Sequence, residues 1–336
     1  MAAGAGRPLV VRTPASEPDD LVPAARAITV FDLLSSSAGY GFASDFGLPA
    51  VQLLFGVQKD GREVQSFPAP DVWMADLSRV PLLYQPGEAF LYDTCSTLQG
   101  VLITRVSGQP LPEFLAERLL RPAGMTDTAF EVPAAKRDRF TSYYRTGEDG
   151  ALRLADGPDG QWSTPPALPL GNGGLAGTAD DWLAFGRMLL AGGATADGRQ
   201  LLSRDAVRLM TTDHTTPAQR QIGQLFLEGQ GWGFGGSVDI ATIDPWNVPG
   251  RYGWVGGTGT SAHIIRPRAR SPSCLPRSRR TARPRRGGCA TSGPTPLAWA
   301  SGVFGDARGL PVPARRHSGA PHRPARSRPV GRPDSH

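Results

Sequence analysis

The sequence is poor in cysteine, histidine and long apolar runs, and each shortage excludes a class of protein or site. Three cysteines in 336 residues cannot form a disulfide framework. Only His214 and His263 lie within residues 1–265, which argues against a metal site built from several histidines. No apolar run approaches the roughly 18 residues of a membrane span, and the N-terminal residues contain no signal-peptide core. We therefore expect no membrane segment and no multi-histidine metal site; the location is open, and cytoplasmic for the chain as written.

Several nucleotide, metal and hydrolase motifs are also absent. The chain contains no GxxxxGK[ST], so it has no loop of the kind that cradles nucleotide phosphates. It contains no HExxH and no CxxC, which removes the common zinc signatures. It contains no GxSxG, the nucleophile turn of the α/β-hydrolases.

The net charge of +6 is the sum of two unlike regions. Residues 1–265 hold 20 Lys and Arg against 28 Asp and Glu, whereas residues 266–336 hold 16 arginines against two aspartates. The first region is therefore acidic and the second strongly basic. A basic surface that could bind an acidic partner is therefore predicted only for residues 266–336.

Residues 266–336 are rich in arginine and proline and contain no Ile, Met, Tyr, Asn, Gln, Glu or Lys. Such a composition offers little apolar surface to bury and is typical of disordered chains. Because such an arginine-rich composition is also typical of GC-rich DNA read out of frame, we interpret this tail as the product of a shifted reading frame rather than a domain. A genuine disordered tail and an arginine-rich nucleic-acid arm are the alternatives.

Residues 1–265 carry the helix signals of a folded protein. Thr29 and Asp32 match a capping box, and Thr178 and Ser203 stand at the start of two further periodic segments. Apolar residues at helical spacing precede Gly108, which predicts a helix that ends there. Residues 51–85 and 141–177 give no clear pattern. Short strands are predicted around residues 231–235 and 252–254.

Six phrases follow one another in an order that resembles the serine β-lactamase-like superfamily, in particular its class C β-lactamase and esterase branch. The resemblance covers about residues 20–265. The phrases are ITVFDLLSSSAGYGF, PGEAFLYDTCSTLQGVLITRVSGQPLPEFLAERLLRPAGMTDTAF, GNGGLAGTADDWLAFGRMLLAGG, LLSRDAVRLMTTDH, GWGFG and YGWVGGTGTSAHI. The resemblance implies an α+β fold with an antiparallel sheet, flanking helices and a mostly helical domain, incomplete in this chain.

The resemblance assigns Tyr92 to the tyrosine that acts as general base or relays protons in this superfamily. A helix is predicted to begin just after Tyr92, and its N-terminal dipole would favour a phenolate. Thr94 stands where the family usually has asparagine. Because this replacement removes an amide that could bind a substrate carbonyl, it favours an esterase over a competent β-lactamase.

Trp254, Gly256 and Gly257 resemble the strand that carries K-T-G in the family. The tryptophan removes the positive charge that would hold a substrate carboxylate. On this resemblance the backbone N–H of Gly257 is the oxyanion donor. A tight turn in which two backbones pass closely is the alternative explanation for these glycines. We do not include His263, a few residues further on, among the site residues.

The S-x-x-K motif that supplies the family's serine nucleophile and its lysine is absent from all 336 residues. Ser35, Ser36 and Ser37 have no lysine near them in sequence, since the chain contains only Lys59 and Lys136. We expect the N-terminal strands and the nucleophile helix to be missing. Without the lysine, Tyr92 would keep a pKa near its ordinary value of about 10 and would be a poor base at neutral pH.

These observations predict a partial β-lactamase-like domain at residues 1–265 and a tail at 266–336. The resemblance implies acyl transfer to water through a serine ester, on a small ester, amide or lactam substrate, with no metal and no organic cofactor, and we expect the chain as written to be inactive. A non-catalytic relative that binds ligands is one alternative. Nucleic-acid binding through the tail is another, which the lack of aromatic residues interleaved with the arginines disfavours. The oligomeric state is open.

Overall fold

The computed structural model describes residues 7–147 and 149–266, all of which belong to the contiguous unit Met1–Phe304. Residues 267–336 lie outside the described residues, so the interpretation of the arginine-rich tail and the division of the chain near residue 265 stay predictions. Among the described residues, no helix is long and apolar enough to cross a membrane.

Nine α-helices occur in the described part of the chain. In chain order they are α1 (Val30–Leu34), α2 (Pro49–Val57), α3 (Pro70–Leu77), α4 (Thr94–Ser107), α5 (Leu111–Leu115), α6 (Ala179–Leu190), α7 (Arg204–Met210), α8 (Pro217–Ile222) and α9 (Gln224–Leu227). Helix α5 continues into one π-helical turn at Ala116–Leu120.

The predicted helix starts are confirmed. The hydroxyl of Thr29 accepts the N–H of Asp32, and the Asp32 carboxylate accepts the N–H of Thr29, which completes the capping box of α1. The hydroxyl oxygens of Thr178 and Ser203 cap α6 and α7 by accepting the N–H groups of Asp181 and Ala206, without the reciprocal bond of a capping box. Gly108 ends α4 with a φ of 71°, a conformation that glycine adopts without steric cost.

The described strands form three small antiparallel sheets. Two are pairs, β1 with β2 and β3 with β4, and the third has the order β5-β6-β7-β8. The strands are β1 (Leu9–Val11), β2 (Leu21–Pro23), β3 (Tyr143–Thr146), β4 (Leu152–Asp156), β5 (Gly231–Trp232), β6 (Ser237–Val238), β7 (Tyr252–Val255) and β8 (Ser261–Ile264). An α+β arrangement with antiparallel pairing is therefore observed, as expected.

Two hydrophobic clusters organise much of the described fold, and Tyr92 packs against the larger one. The larger one is built around Trp73 and Leu77 of α3, Val51 and Leu54 of α2, and Leu91 just before Tyr92. The other packs Met188 and Leu189 of α6 against Val238, Tyr252 and Ile264 of the four-stranded sheet. Tyr92 thus follows directly on a core residue, which restricts the position of its backbone.

Candidate active site

Tyr92 ends an extended segment that is paired with Phe42. The N–H of each residue donates to the carbonyl of the other at 3.0 Å. Helix α4 begins two residues later, at Thr94. We call residues 92–94 the tyrosine corner, because the chain changes there from extended to helical within one residue.

That change is made by an uncommon turn at Asp93. Its φ is 83° and its ψ is −68°, and the N–H of Thr94 donates to the carbonyl of Tyr92 at 3.2 Å. These values define a γ-turn of the rare, strained type. Asp93 occupies the N-cap position of α4, yet its side chain makes no capping hydrogen bond.

The Asp93 carboxylate is bonded instead to two side-chain amides from other parts of the chain. Gln58 Nε2, at the C-terminal end of α2, donates to Asp93 Oδ2 at 2.8 Å, and Asn172 Nδ2 donates to Asp93 Oδ1. Burial raises the pKa of Asp93, and the two amide donors oppose that rise. The oxygens Gln58 Oε1, Asn172 Oδ1 and Thr94 Oγ1 are buried with no partner among the described residues.

The structure brings Tyr92 and Trp254 together, although 162 positions separate them in the sequence. The indole Nε1 of Trp254, on β7, donates to the Tyr92 hydroxyl at 3.0 Å. The Tyr92 ring stacks on Phe226 with centroids 4.4 Å apart, and Trp232 contacts it edge to face. Two residues predicted separately to belong to the site are therefore direct neighbours.

Burial raises the pKa of Tyr92 well above its ordinary value, and the nearby Asp93 carboxyl raises it further. The hydrogen bond from Trp254 lowers it, but by less. The expectation that Tyr92 keeps a pKa near its ordinary value is therefore wrong, because burial deprives a phenolate of its hydration, and the effect expected from the dipole of α4 stays a prediction. Tyr92 is protonated at neutral pH and is a poor base by itself, as expected.

The remaining predicted residues lie in and beside the β7–β8 hairpin. Residues 256–260, which we call the glycine loop, join the strands, and the Gly256 N–H donates to the Thr260 carbonyl at 2.7 Å. Gly257 is exposed. A Cβ at Gly257 would lie 3.3 Å from Arg62 Cδ. Gly256 therefore serves the tight turn, and the assignment of the oxyanion donor to the Gly257 N–H stays a prediction.

Ser35, Ser36 and Ser37 form the buried turn after α1. Ser35 Oγ donates to the Phe31 carbonyl at 2.8 Å and lies 2.9 Å from Ser37 Oγ. Both hydroxyls are thus engaged in local structure, as expected for turn residues. Lys136, one of the two lysines, pairs with Asp127 at 2.6 Å.

Other reactive side chains lie outside this arrangement. His263, on β8, stands opposite Gly253 in the β7–β8 register, and burial lowers its pKa to about 4. Cys95 is fully buried, and burial raises the pKa of its thiol to about 12, so it is unreactive at neutral pH. Among the described residues, no group of three or more His, Cys, Asp or Glu could hold a metal ion.

Sequence reasoning missed Gln58, Asp93, Asn172 and Phe226. Asn172 lies in the glycine-rich GNGG segment, and Asp93 stands between two residues that were singled out. The positions of Asn172 and Asp93 in the sequence could therefore have indicated that they belong to the site. Gln58 and Phe226 carried none, because they reach the tyrosine corner only through the tertiary fold.

Comparison with known proteins identifies the family to which this chain belongs. The family model described as Beta-lactamase matches residues 13–271, and the chain belongs to that family. The α+β architecture is accordingly that of the β-lactamase and transpeptidase fold. The structure called EstCE1, a hydrolase with promiscuous acyltransferase activity, superposes with a TM-score of 0.59 at 24% identity, covering 74% of this chain and 66% of that one.

Two relatives of known sequence illustrate the range of the family. An uncharacterized protein of Mycobacterium tuberculosis is 39% identical over 250 residues, which cover 71% of this chain and 59% of the relative. Esterase EstB of Burkholderia gladioli is 29% identical over 171 residues, covering 46% of this chain and 43% of the esterase. The match thus spans about half of the length of these two relatives.

Proposed function

We propose that this chain carries the tyrosine and the oxyanion strand of a serine-hydrolase site with esterase-like substrates. The reaction would be acyl transfer to water. A serine oxygen attacks the substrate carbonyl, the alcohol leaves with a proton, and water then releases the acid from the serine ester. No metal or organic cofactor takes part in this scheme.

One observation carries the proposal. The 3.0 Å hydrogen bond from Trp254 to the Tyr92 hydroxyl joins the two segments that resemble separate catalytic elements of the family. A buried tyrosine hydroxyl needs a polar partner whatever its role, so the support lies in which partner it has: the donor comes from the segment that resembles the oxyanion strand. The bond supports a single cleft lined by both segments.

Within this scheme each residue has a distinct role. Tyr92 is protonated, so it is suited to donate a proton to the leaving alcohol and to be reprotonated by the proton that the attacking serine, and later the attacking water, releases. The Gly257 N–H would stabilise the oxyanion. Trp254 orients the Tyr92 hydroxyl and lines the substrate. Thr94, in place of the family's asparagine, offers no amide to a lactam or peptide carbonyl and favours simple esters.

We further propose that the 336 residues do not form an acyl-enzyme, because S-x-x-K is absent from them. The competing function is a non-catalytic relative that binds small acyl ligands, and the same absence favours it. The two functions differ in whether the gene encodes S-x-x-K in frame with this chain.

The test is to read the flanking DNA in all frames and to express any in-frame product that contains S-x-x-K. We expect that product to hydrolyse p-nitrophenyl butyrate, and Tyr92→Phe to lower its kcat about 100-fold or more, as expected for loss of a proton-transfer group. Unchanged kcat in Tyr92→Phe would contradict the role of Tyr92. A stop codon with no S-x-x-K upstream would favour the ligand-binding function.

A further inference from the structure

The γ-turn at Asp93 is unusual because a residue other than glycine occupies it. A positive φ is uncommon for non-glycine residues, and among the described residues only Ser36, Asp93 and Glu228 have one. Such conformations persist where the surrounding structure holds them, and they concentrate at functional sites. The turn lies directly between Tyr92 and the first residue of α4.

The Asp93 side chain is not needed for the helix that follows it. Aspartate at an N-cap position usually accepts backbone N–H groups of the first turn. Here the carboxylate makes no capping bond and points to Gln58 and Asn172 instead. The capping role of aspartate therefore does not explain why this residue is present.

The two amides come from elements with independently fixed positions. Gln58 is the C-cap residue of α2 and is 2% exposed. Asn172 follows Gly171, which packs so closely on α4 that an added Cβ would overlap the carbonyl of Ser96. The carboxylate thus ties the tyrosine corner to a helix end on one side and to a close-packed loop on the other.

We propose that Asp93 is a positioning residue, which is clamped between Gln58 and Asn172 and thereby aims the Tyr92 hydroxyl at the Trp254 indole. We call these three residues the carboxylate clamp. The inference rests on the proposed function only in giving Tyr92 a catalytic role. The positioning of Tyr92 can be tested by a measurement that needs no enzyme activity. The clamp holds the strained turn, the turn fixes the Cα–Cβ direction of Tyr92, and the bond to Trp254 follows.

The test uses the indole N–H of Trp254 as a reporter in the full chain labelled with ¹⁵N-tryptophan. Trp254→Phe assigns the signal, and Tyr92→Phe gives its position when the hydrogen bond is absent. Asp93→Asn keeps the size of the side chain but replaces one carboxylate oxygen by an NH₂ group. Because an NH₂ group cannot accept a hydrogen bond, either Gln58 or Asn172 then loses its acceptor. We expect the Trp254 signal to move toward its position in Tyr92→Phe, with indole exchange about fivefold faster or more.

A swap of the two groups provides the rescue. In the double variant Asp93→Asn with Asn172→Asp, the new amide can donate to the new carboxylate while its oxygen still accepts from Gln58. We expect the Trp254 signal and its exchange rate to return toward wild type. Asp181→Asn is the control, because Asp181 is a buried carboxylate that accepts the Asp127 N–H and the Thr128 hydroxyl without contacting Tyr92.

Two results would overturn the inference. One is a wild-type Trp254 signal in a folded Asp93→Asn variant, and the other is a swap that folds but does not restore the signal. If Asp93→Asn does not fold, Gln58→Met removes one donor at similar volume and must shift the Trp254 signal. Either result would contradict the positioning role of Asp93 without contradicting the proposed ester hydrolysis. Conversely, an unchanged turnover in Tyr92→Phe would contradict the catalytic role of Tyr92 without contradicting the positioning role of Asp93.

Discussion

The tyrosine corner and the glycine loop are the two sides of the candidate site, and they are built in opposite ways. The corner is held by contacts from distant parts of the chain: backbone bonds to Phe42, the amides of Gln58 and Asn172, and the Trp254 indole. The loop is held by the hairpin bond between Gly256 and Thr260, and residues 257–260 are exposed. We conclude that the corner is organised by the tertiary fold, whereas the loop is organised by its own turn.

This difference predicts how each side responds to substitution. Changes that disturb the packing of the corner should lower the stability of the whole protein, because a core cluster adjoins it. Changes in the loop should have small effects on stability, because few atoms there are buried. The predictions below test this contrast in order of decreasing effect.

Gly171→Ala should have the largest effect, a loss of about 3 kcal/mol in the free energy of unfolding. The added methyl would overlap the backbone carbonyl of Ser96 in α4, which cannot move without displacing the tyrosine corner. Urea denaturation measures the loss. Gly173→Ala is the matched control, because a Cβ there meets nothing within 4 Å. Equal stabilities of the two variants would remove the argument that close packing fixes this loop.

Acidification should destabilise the hairpin side through His263. Burial lowers its folded-state pKa to about 4, so the unfolded chain binds the proton first as the pH falls below about 6.5. The stability that neutral His263 contributes is complete above pH 6.5 and is lost as the pH falls to 4; the shift corresponds to about 3 kcal/mol, which solvent screening of this partly exposed ring reduces to about 2 kcal/mol. Thermal melts at pH 7 and pH 4.5 should show a smaller drop in Tm for His263→Gln than for wild type. The same drop in both would show that other groups cause it.

Trp254→Phe should cost about 1 kcal/mol, because it removes the N–H donor but keeps an aromatic ring on β7. The pKa of Tyr92 should rise further, since the indole N–H stabilises the phenolate. Trp246→Phe is the control, since Trp246 is 57% exposed. If urea denaturation gives both variants the same stability, the Trp254–Tyr92 bond contributes nothing to the joining of the two sides.

Gly257→Ala should have the smallest effect, below about 0.5 kcal/mol. The added methyl would lie 3.3 Å from the side chain of Arg62, which can shift by the small distance required. Urea denaturation again gives the measurement. A loss above 1.5 kcal/mol, on the order expected for overpacking, would mean that the glycine loop is as tightly organised as the tyrosine corner, and the contrast drawn above would fail.

The sequence predicts the parts of the fold that local chemistry determines. Thr29, Thr178 and Ser203 cap helices because a side-chain oxygen reaches N–H groups only a few residues away. Helices α2 and α3 were not predicted, because both start at proline without a capping side chain and α2 is nearly uniformly apolar. The β3–β4 hairpin was missed because its residues are largely exposed and carry no alternating apolar pattern.

The candidate site, like the fold, has parts that the sequence predicts and parts that depend on tertiary contacts. Family resemblance identified Tyr92 and Trp254, and the fold makes them neighbours. The partners of Asp93 lie 35 and 79 positions away, so no local pattern could join them. The rise in the Tyr92 pKa was missed for the same reason, because the burial around Tyr92, including its stacking on Phe226, is not visible in sequence.

The most direct test of the account is ester turnover by the full 336-residue chain. The account holds that the tyrosine corner is organised but that no S-x-x-K nucleophile is present to form an acyl-enzyme. Purified protein should therefore release p-nitrophenol from p-nitrophenyl butyrate no faster than buffer, and should leave nitrocefin intact. Turnover that exceeds buffer and disappears in Tyr92→Phe would contradict the account, because it would require a nucleophile within these residues.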